Sequence, residues 1–303
     1  MRRSKLLCSI PTLGVLLLVG QLALAADATY TVTTVDVPFP GATGTLLRGI
    51  ARHGLVVGFY LDENNLGHGF LYADGNFVPL DVPSGFNTNP QGVNDRGDVV
   101  GSYNEPASNR HGFIYSGGVF RTLDFPGSPP PPATELTAIN NRGELVGIYY
   151  GTADALIHSF VYADNTFTPL AVPGARLTVA SGINDHGEIV GWYQDFGLRP
   201  HGFIYARGEF TTLDVPGAVG TLLLAINNHG QIAGLFYSPE PAPPPLGSDH
   251  NFGHGFVYAN GAFTRLDGPG AAFTEASGLN EAGIAVGDYI DSDGEHGFIA
   301  TPR

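Results

Sequence analysis

The sequence predicts an all-β protein, a six-bladed β-propeller of four-stranded antiparallel blades. Three observations predict it. A unit of about 43 residues occurs six times, each unit contains four short strand-like segments, and the two ends of the chain complement one another.

The unit reads I-N-D-x-G-x-I-V-G-x-Y, a variable loop, then H-G-F-I-Y-A-x-G-x-F-x-x-L-D-V-P-G. Its H-G-F phenylalanine falls at Phe70, Phe113, Phe160, Phe203, Phe256 and Phe298. Its I-N asparagine falls at Asn94, Asn140, Asn184, Asn227 and Asn280, with Ala51 in that place in the first copy. Glycine, proline and asparagine are dense, and no stretch sustains a 3.6-residue period, so the segments are strands joined by turns. In the second copy, strand a ends at Gln91-Gly92-Val93 and Asn94-Asp95-Arg96-Gly97 is a tight turn. Strand b is Asp98–Tyr103, strand c His111–Tyr115 and strand d Val119–Phe125. A β-helix rung would be roughly half this length, and a sandwich has no reason to repeat six times.

The last copy stops after strand c, at His296-Gly297-Phe298-Ile299-Ala300. The missing fourth strand stands at the other end, where Tyr30–Pro38 matches Phe210–Pro216 in pattern. The N-terminal strand is therefore expected to complete the last blade and close the ring, which removes its open edges. Upstream of it, Met1-Arg2-Arg3-Ser4-Lys5, an apolar run from Leu6 to Leu24 and Ala23-Leu24-Ala25 have the form of a secretory signal peptide. Residues 1–25 are read as that signal and residues 26–303 as one propeller domain, secreted to the extracellular space or periplasm. No membrane insertion is expected after cleavage.

The motifs I-N-x-x-G-x-x-V-G-x-Y and H-G-F-x-Y-x-x-G-x-F-x-x-L resemble the HAF-type extracellular repeat of bacterial proteins, with glycine where that family has alanine. The resemblance covers essentially all of the chain after the signal. It implies an exported bacterial protein of repeated β architecture, and no activity or catalytic residue.

Cleavage would remove Cys8, the only cysteine, and Lys5, the only lysine, leaving 11 Arg against 28 Asp and Glu. Such a surface argues against nucleic acid, which needs a basic face, and against anionic membranes. Without disulfides the chain depends on its core, which about 277 residues are enough to build. A monomer is expected.

The a–b turns and c–d turns are nearly constant and share one face of the meander. The b–c and d–a loops share the other and carry nearly all the variation, including the proline runs Pro129–Pro132 and Pro241–Pro245. Recognition is expected on that variable face. The six motif histidines (His68, His111, His158, His201, His254, His296) would lie about 15 Å apart on third strands, too far to share a metal, and are read as structural. The Asn of I-N and the Asp of L-D-V-P are read as turn and strand-end hydrogen bonders.

Residues that break the repeat are the functional candidates. Asp291, Asp293 and Glu295 crowd one b–c loop and are candidate calcium ligands, loosely echoed by Asp62-Glu63-Asn64-Asn65. Glu135 and Glu275 occupy equivalent places at the start of strand a. With Arg48 they are the candidate catalytic residues for acid–base chemistry on a sugar. Trp192, the only tryptophan, is a candidate sugar-stacking platform, with packing between blades as the other reading. No G-x-S-x-G, H-E-x-x-H, G-x-x-x-x-G-K or C-x-x-C occurs. The leading expectation is a non-catalytic recognition module for a glycan or protein. A polysaccharide hydrolase or lyase and a structural envelope component are the alternatives, and no cofactor beyond calcium is expected.

Overall fold

The structure, a computed structural model, describes residues 29–106, 109–126, 133–151, 156–241 and 251–303. The expected signal segment and Pro129–Pro132 lie outside the described residues, as does the second proline run beyond Pro241.

The described residues form 24 strands and no helix. The first, β1 (Tyr30–Val35), is set apart by the chain. The next four make one antiparallel sheet: β2 (Gly44–Ile50), β3 (Val56–Leu61), β4 (Gly67–Ala73) and β5 (Asn76–Pro79). The same meander follows in β6 (Phe86–Val93), β7 (Val99–Glu105), β8 (Asn109–Ser116) and β9 (Val119–Thr122). A third sheet is β10 (Thr134–Ile139), β11 (Leu145–Tyr150), β12 (Ile157–Ala163) and β13 (Thr166–Leu170). The fourth is β14 (Leu177–Ile183), β15 (Ile189–Gln194), β16 (Pro200–Ala206) and β17 (Glu209–Thr212). The fifth is β18 (Gly220–Ile226), β19 (Ile232–Pro241), β20 (Asn251–Ala259) and β21 (Ala262–Leu266). The last three, β22 (Phe273–Leu279), β23 (Ala285–Ile290) and β24 (Glu295–Pro302), take β1 as their fourth strand, with Tyr30 opposite Pro302 and Val35 opposite Gly297.

The fourth strand of the second unit is shorter than the expected Val119–Phe125. β9 ends at Thr122 rather than Phe125, because Asp124 leaves the ladder and its side chain takes over. Its Oδ1 accepts the Gly112 N–H at 3.2 Å, and its Oδ2 meets His111 Nδ1 at 2.7 Å. Strand β7 likewise starts at Val99, because the Asp98 N–H is spent on Asn94 Oδ1 at 3.0 Å.

The first strand of every sheet contacts the first strand of the next: β2 with β6, then β10, β14, β18, β22, and β22 with β2 again. Each of these strands carries a bulge, at Arg48, Gln91, Thr137, Ser181, Leu224 and Ser277. The residue after each bulge is Gly49, Gly92, Ala138, Gly182, Ala225 or Gly278. A Cβ on Gly92 would stand 3.0 Å from Ala138 Cα, and one on Gly278 would stand 2.9 Å from Arg48 O. Only a small residue lets neighbouring first strands approach this closely, which is why the repeat admits no more than alanine there.

Side chains outside the ladders tie sheet to sheet. Six buried threonines, one per unit, accept the N–H of the chain arriving from the preceding sheet: Thr45 from Val37, Thr88 from Val82, Thr134 from Phe125, Thr178 from Val172, Thr221 from Val215 and Thr274 from Gly268. Four of the five turn asparagines do two things. Asn184 Oδ1 accepts the His186 and Glu188 N–H groups, both at 3.0 Å, and its Nδ2 donates to Asn227 O in the next sheet at 3.2 Å. Asn94, Asn140 and Asn227 make the same reach, to Asn140 O, Asn184 O and Asn280 O. The residue after each asparagine adds an outer relay, in which the N–H of one turn donates to the side chain of the next: Arg52 to Asp95, Asp95 to Asn141, Asn141 to Asp185, Asp185 to Asn228 and Asn228 to Glu281.

The core is equally periodic. Phe70, Phe113, Phe160, Phe203, Phe256 and Phe298 are all fully buried, and five of them meet the following strand's phenylalanine edge to face, from Phe77 to Phe263.

Two outcomes follow. Asn184→Ala removes the one oxygen that accepts two turn N–H groups and one inter-sheet donor from a buried site, and is expected to cost about 2–3 kcal/mol in urea unfolding. A chain lacking residues 29–40 loses β1, exposes the β24 edge, and should melt more than 10 °C lower. An unchanged midpoint would contradict the role of β1.

Candidate functional site

The first strands surround an axial cavity, and the polar rings divide it. Strand a runs from the d–a loop to the a–b turn, so its start lies at the same end as the b–c loops. At the opposite end, the turns line a chamber with Asp95, Asn141, Asp185, Asn228, Glu281 and Arg52. Acid and amide alternate there, and Asn141 Nδ2 reaches Asp95 Oδ2 and Asp185 Oδ2, both at 2.9 Å. The second chamber is lined by the bulge residues Arg48, Gln91, Thr137, Ser181, Leu224 and Ser277. Each chamber has about 80 Å³ of free space, and Ile50, Val93, Ile139, Ile183, Ile226 and Leu279 line both.

Arg48 is the centre of the charged groups. It lies on β2, and its Nη1 donates to Glu275 Oε1 at 2.5 Å and Ser277 Oγ at 3.0 Å on β22, and lies 3.2 Å from Asp288 Oδ1 on β23. Its guanidinium carbon sits 5.5 Å from the Phe59 ring centroid. Glu275 and Asp288 are direct cross-strand partners. Glu295, the first residue of β24, faces the same group: its Oε2 would stand 2.9 Å from a Cβ at Gly44, so glycine there leaves it room. Three carboxylates thus share one arginine at the junction of the last sheet and the first.

Burial works against ionisation in this cluster. Desolvation pushes the Asp288 carboxyl well above the usual aspartate range. Arg48 opposes the rise, and the charges of Glu275 and Glu295 reinforce it. Glu295 is raised for the same reasons, desolvation first. Desolvation alone would lower the Arg48 pKa, but Asp288 and Glu275 outweigh it and the net shift is upward.

The structure pairs Arg48 with Glu275 and gives Glu135, on β10, other partners. Glu135 Oε1 accepts from Gln91 Nε2 at 3.2 Å, and its Oε2 pairs with Arg110 Nη1 at 3.1 Å. Burial raises its pKa, with Arg110 and Arg48 in opposition. The two glutamates are therefore each held by an arginine of their own. Trp192 is half-buried on β15, opposite Val179 and Gly202.

Asp291, Asp293 and Glu295 do not converge. Asp291 Oδ1 accepts the Asp293 N–H at 2.7 Å and faces His296 Nε2 at 3.5 Å, while Glu295 turns to the Arg48 cluster. Turn chemistry and the cation of Arg48 pull these side chains in different directions. Among the described residues no group of three His, Cys, Asp or Glu is arranged to hold a metal ion.

Five of the six motif histidines pair one by one with the aspartate that follows strand d, while the His158 unit has Ala171 in that place. His68 meets Asp81, His111 Asp124, His201 Asp214, His254 Asp267 and His296 Asp36, each within 3.0 Å. The last pair joins β24 to the segment after β1. Four of these rings also lie on a tyrosine of the second strand: Tyr60, Tyr103, Tyr193 and Tyr289.

Sequence reasoning missed Asp288, and a signal for it existed. Its position in the other units holds Phe59, Ser102, Ile148, Trp192 and Leu235, so a repeat alignment shows an acid on a mostly apolar register.

No protein family matches the chain, and no curated protein does. Solved structures do. A gluconolactonase from Xanthomonas campestris is similar over 92% of this chain and 91% of its own, with 14% identity and a TM-score of 0.53. The SapL1 lectin, solved with alpha methyl fucoside, is similar over 82% and 88%, with 9% identity and a TM-score of 0.52. The β-propeller domain of the Trilobed protease from Pyrococcus furiosus is similar over 86% and 93%, with 8% identity and a TM-score of 0.51. At these identities the likeness is one of fold, and the fold is the β-propeller.

The raised Asp288 carboxyl has a consequence for stability. The folded state holds that proton more tightly than the unfolded chain, so its contribution falls as pH rises from about the unfolded value of 3.8 through the folded one. Asp288→Asn removes the buried charge and keeps the shape. It is expected to stabilise the protein by about 2 kcal/mol at pH 8 and by almost nothing at pH 4, read from urea midpoints.

Proposed function

We propose that the chain is an exported six-bladed propeller, closed by its N-terminal strand, that binds a glycan on the b–c and d–a face. Closure is supported by the β1–β24 pairing and by the return of β22 to β2. One observation carries the functional reading. Charged residues that break the repeat (Arg48, Arg110, Glu135, Glu275, Asp288, Glu295) gather toward the b–c and d–a end of the axis, whereas the turns at the other end are tied to one another by nearly identical bonds. Variation imposed on one end of a rigid scaffold is the pattern of a recognition surface. The glycan class is supported by the dense donors and acceptors there and by the fold likeness to a lectin solved with a fucoside. Glu275 accepts from Arg48 and Glu135 from Arg110, so both carboxylates are already engaged in hydrogen bonds of a polar binding surface.

The test is calorimetric titration of the purified chain with neutral and acidic oligosaccharides, followed by reducing-end assay of the same mixtures. Binding without turnover is expected, weakened at least tenfold by Glu135→Gln and unchanged by Asp95→Asn at the other end. Loss on Asp95→Asn alone would move the site to the turn face, and turnover would make the protein an enzyme. Adding calcium or EGTA reports separately on the Asp291 loop.

A further inference from the structure

The b–c loop of the fourth sheet departs from its counterpart in the first in a way that ordinary turn chemistry does not explain. Both loops are built alike. In the first, the Asn65 N–H donates to Asp62 O at 2.9 Å and the Leu66 N–H to Asp62 Oδ1 at 2.8 Å. In the fourth, the Leu198 N–H donates to Asp195 O at 3.1 Å and the Arg199 N–H to Asp195 Oδ1 at 2.9 Å. The third residue after the aspartate is left-handed in each, with φ of 61° at Asn65 and 67° at Leu198. Asparagine tolerates that backbone, and leucine is strained by it. Glu63, one residue after the first aspartate, corresponds to Phe196. Strain retained at an exposed position points to a use for the side chain.

Phe196 is 79% exposed and Leu198 59%, and Val219 on the neighbouring d–a loop is 42% exposed. The tip is held firmly. Gln194 Nε2 donates to Leu198 O at 3.0 Å, and the Arg176 Nη1 donates to Gln194 Oε1 at 2.5 Å. Arg199 Nη2 donates to Ala218 O at 2.7 Å. Both arginines thus meet neutral oxygens, and among the described residues neither pairs with a carboxylate. In a chain of formal charge −14, Arg176 and Arg199 bring two guanidiniums without a carboxylate partner to the loop that carries Phe196.

We propose that Phe196 and Leu198, with Arg176 and Arg199, form the contact element for an acidic glycan, one whose sugar rings carry carboxylates. This rests on the glycan-binding reading and narrows it to uronate-bearing chains. A ring exposed to this degree offers a flat face for stacking rather than a pocket to fill. The guanidiniums supply the forked donors that a carboxylate matches.

The experiment titrates the full purified chain with hexamers of galacturonate, mannuronate and guluronate, with cellohexaose and isomaltohexaose as neutral controls and hexaglutamate as an acidic peptide. At least one uronate hexamer is expected to bind, at least tenfold more tightly than the neutral controls. Phe196→Ala and Arg199→Gln should each weaken it at least tenfold, and raising salt from 0.1 to 0.5 M should weaken it further. Leu198→Asn keeps the loop, should raise the melting temperature, and should still weaken binding, so loss of binding is separated from loss of fold. Neutral binding that ignores Phe196→Ala and Arg199→Gln overturns the acidic-glycan assignment while leaving the glycan reading in place. Hexaglutamate binding as tightly as the uronates overturns it too. No binding by any saccharide overturns both.

Discussion

The turn asparagine is the contact on which the rest depends. A sheet of four short strands buries too little to stand by itself, so each unit is stable only when aligned on its neighbours. Asn184 makes that alignment specific. Its carbonyl oxygen closes its own turn while its amide nitrogen reaches the backbone of the next. A turn that slipped by one residue would leave a buried amide without partners on both sides. The threonines act in the same manner at the other end of the inner strands, where Thr178 takes the Val172 N–H at 3.0 Å. Inner strands are thus pinned at both ends, and the bulges between the pins are free to vary without changing the frame.

The first unit lacks that contact, since Ala51 stands in the asparagine's place and Arg52 offers no acceptor to the outer relay. The junction it shares with the last unit is held differently. There β1 completes the last sheet, His296 meets Asp36 at 2.9 Å, and Arg48 bridges to Glu275. Burial and the charge of Asp36 oppose one another at His296; the hydrogen bond and charge of Asp36, with help from Asp291, win, and its pKa rises. Charged groups therefore do at the closing junction what neutral amides do elsewhere. The excess of acid around Arg48 is tolerated because the most buried member, Asp288, resists ionisation.

Strand order, the six units, the position of β1 and the structural role of the histidines were legible in the sequence, because each is written as a local pattern repeated in register. Arg48 and Glu275 were legible as departures from that pattern. What could not be read was who faces whom across two sheets. Glu295 looked like a member of the Asp291 loop because it is adjacent in sequence, yet at the first position of β24 it points to a different unit. The threonine row was hidden for a similar reason: Thr45 and Thr221, each between a glycine and a leucine, resemble ordinary strand residues until their partners from the preceding sheet are seen. Strand β9 was read too long because Leu123 followed by Asp124 continues an alternating pattern, while the structure spends the aspartate on His111.

The six apolar residues shared by both chambers have a consequence for traffic along the axis. Ile50, Val93, Ile139, Ile183, Ile226 and Leu279 form an aliphatic ring shared by two polar compartments of about 80 Å³ each, less than the roughly 150 Å³ that holds a benzene molecule in an engineered cavity. Aliphatic side chains offer no hydrogen bond, so a polar group that leaves either chamber along the axis loses its partners there.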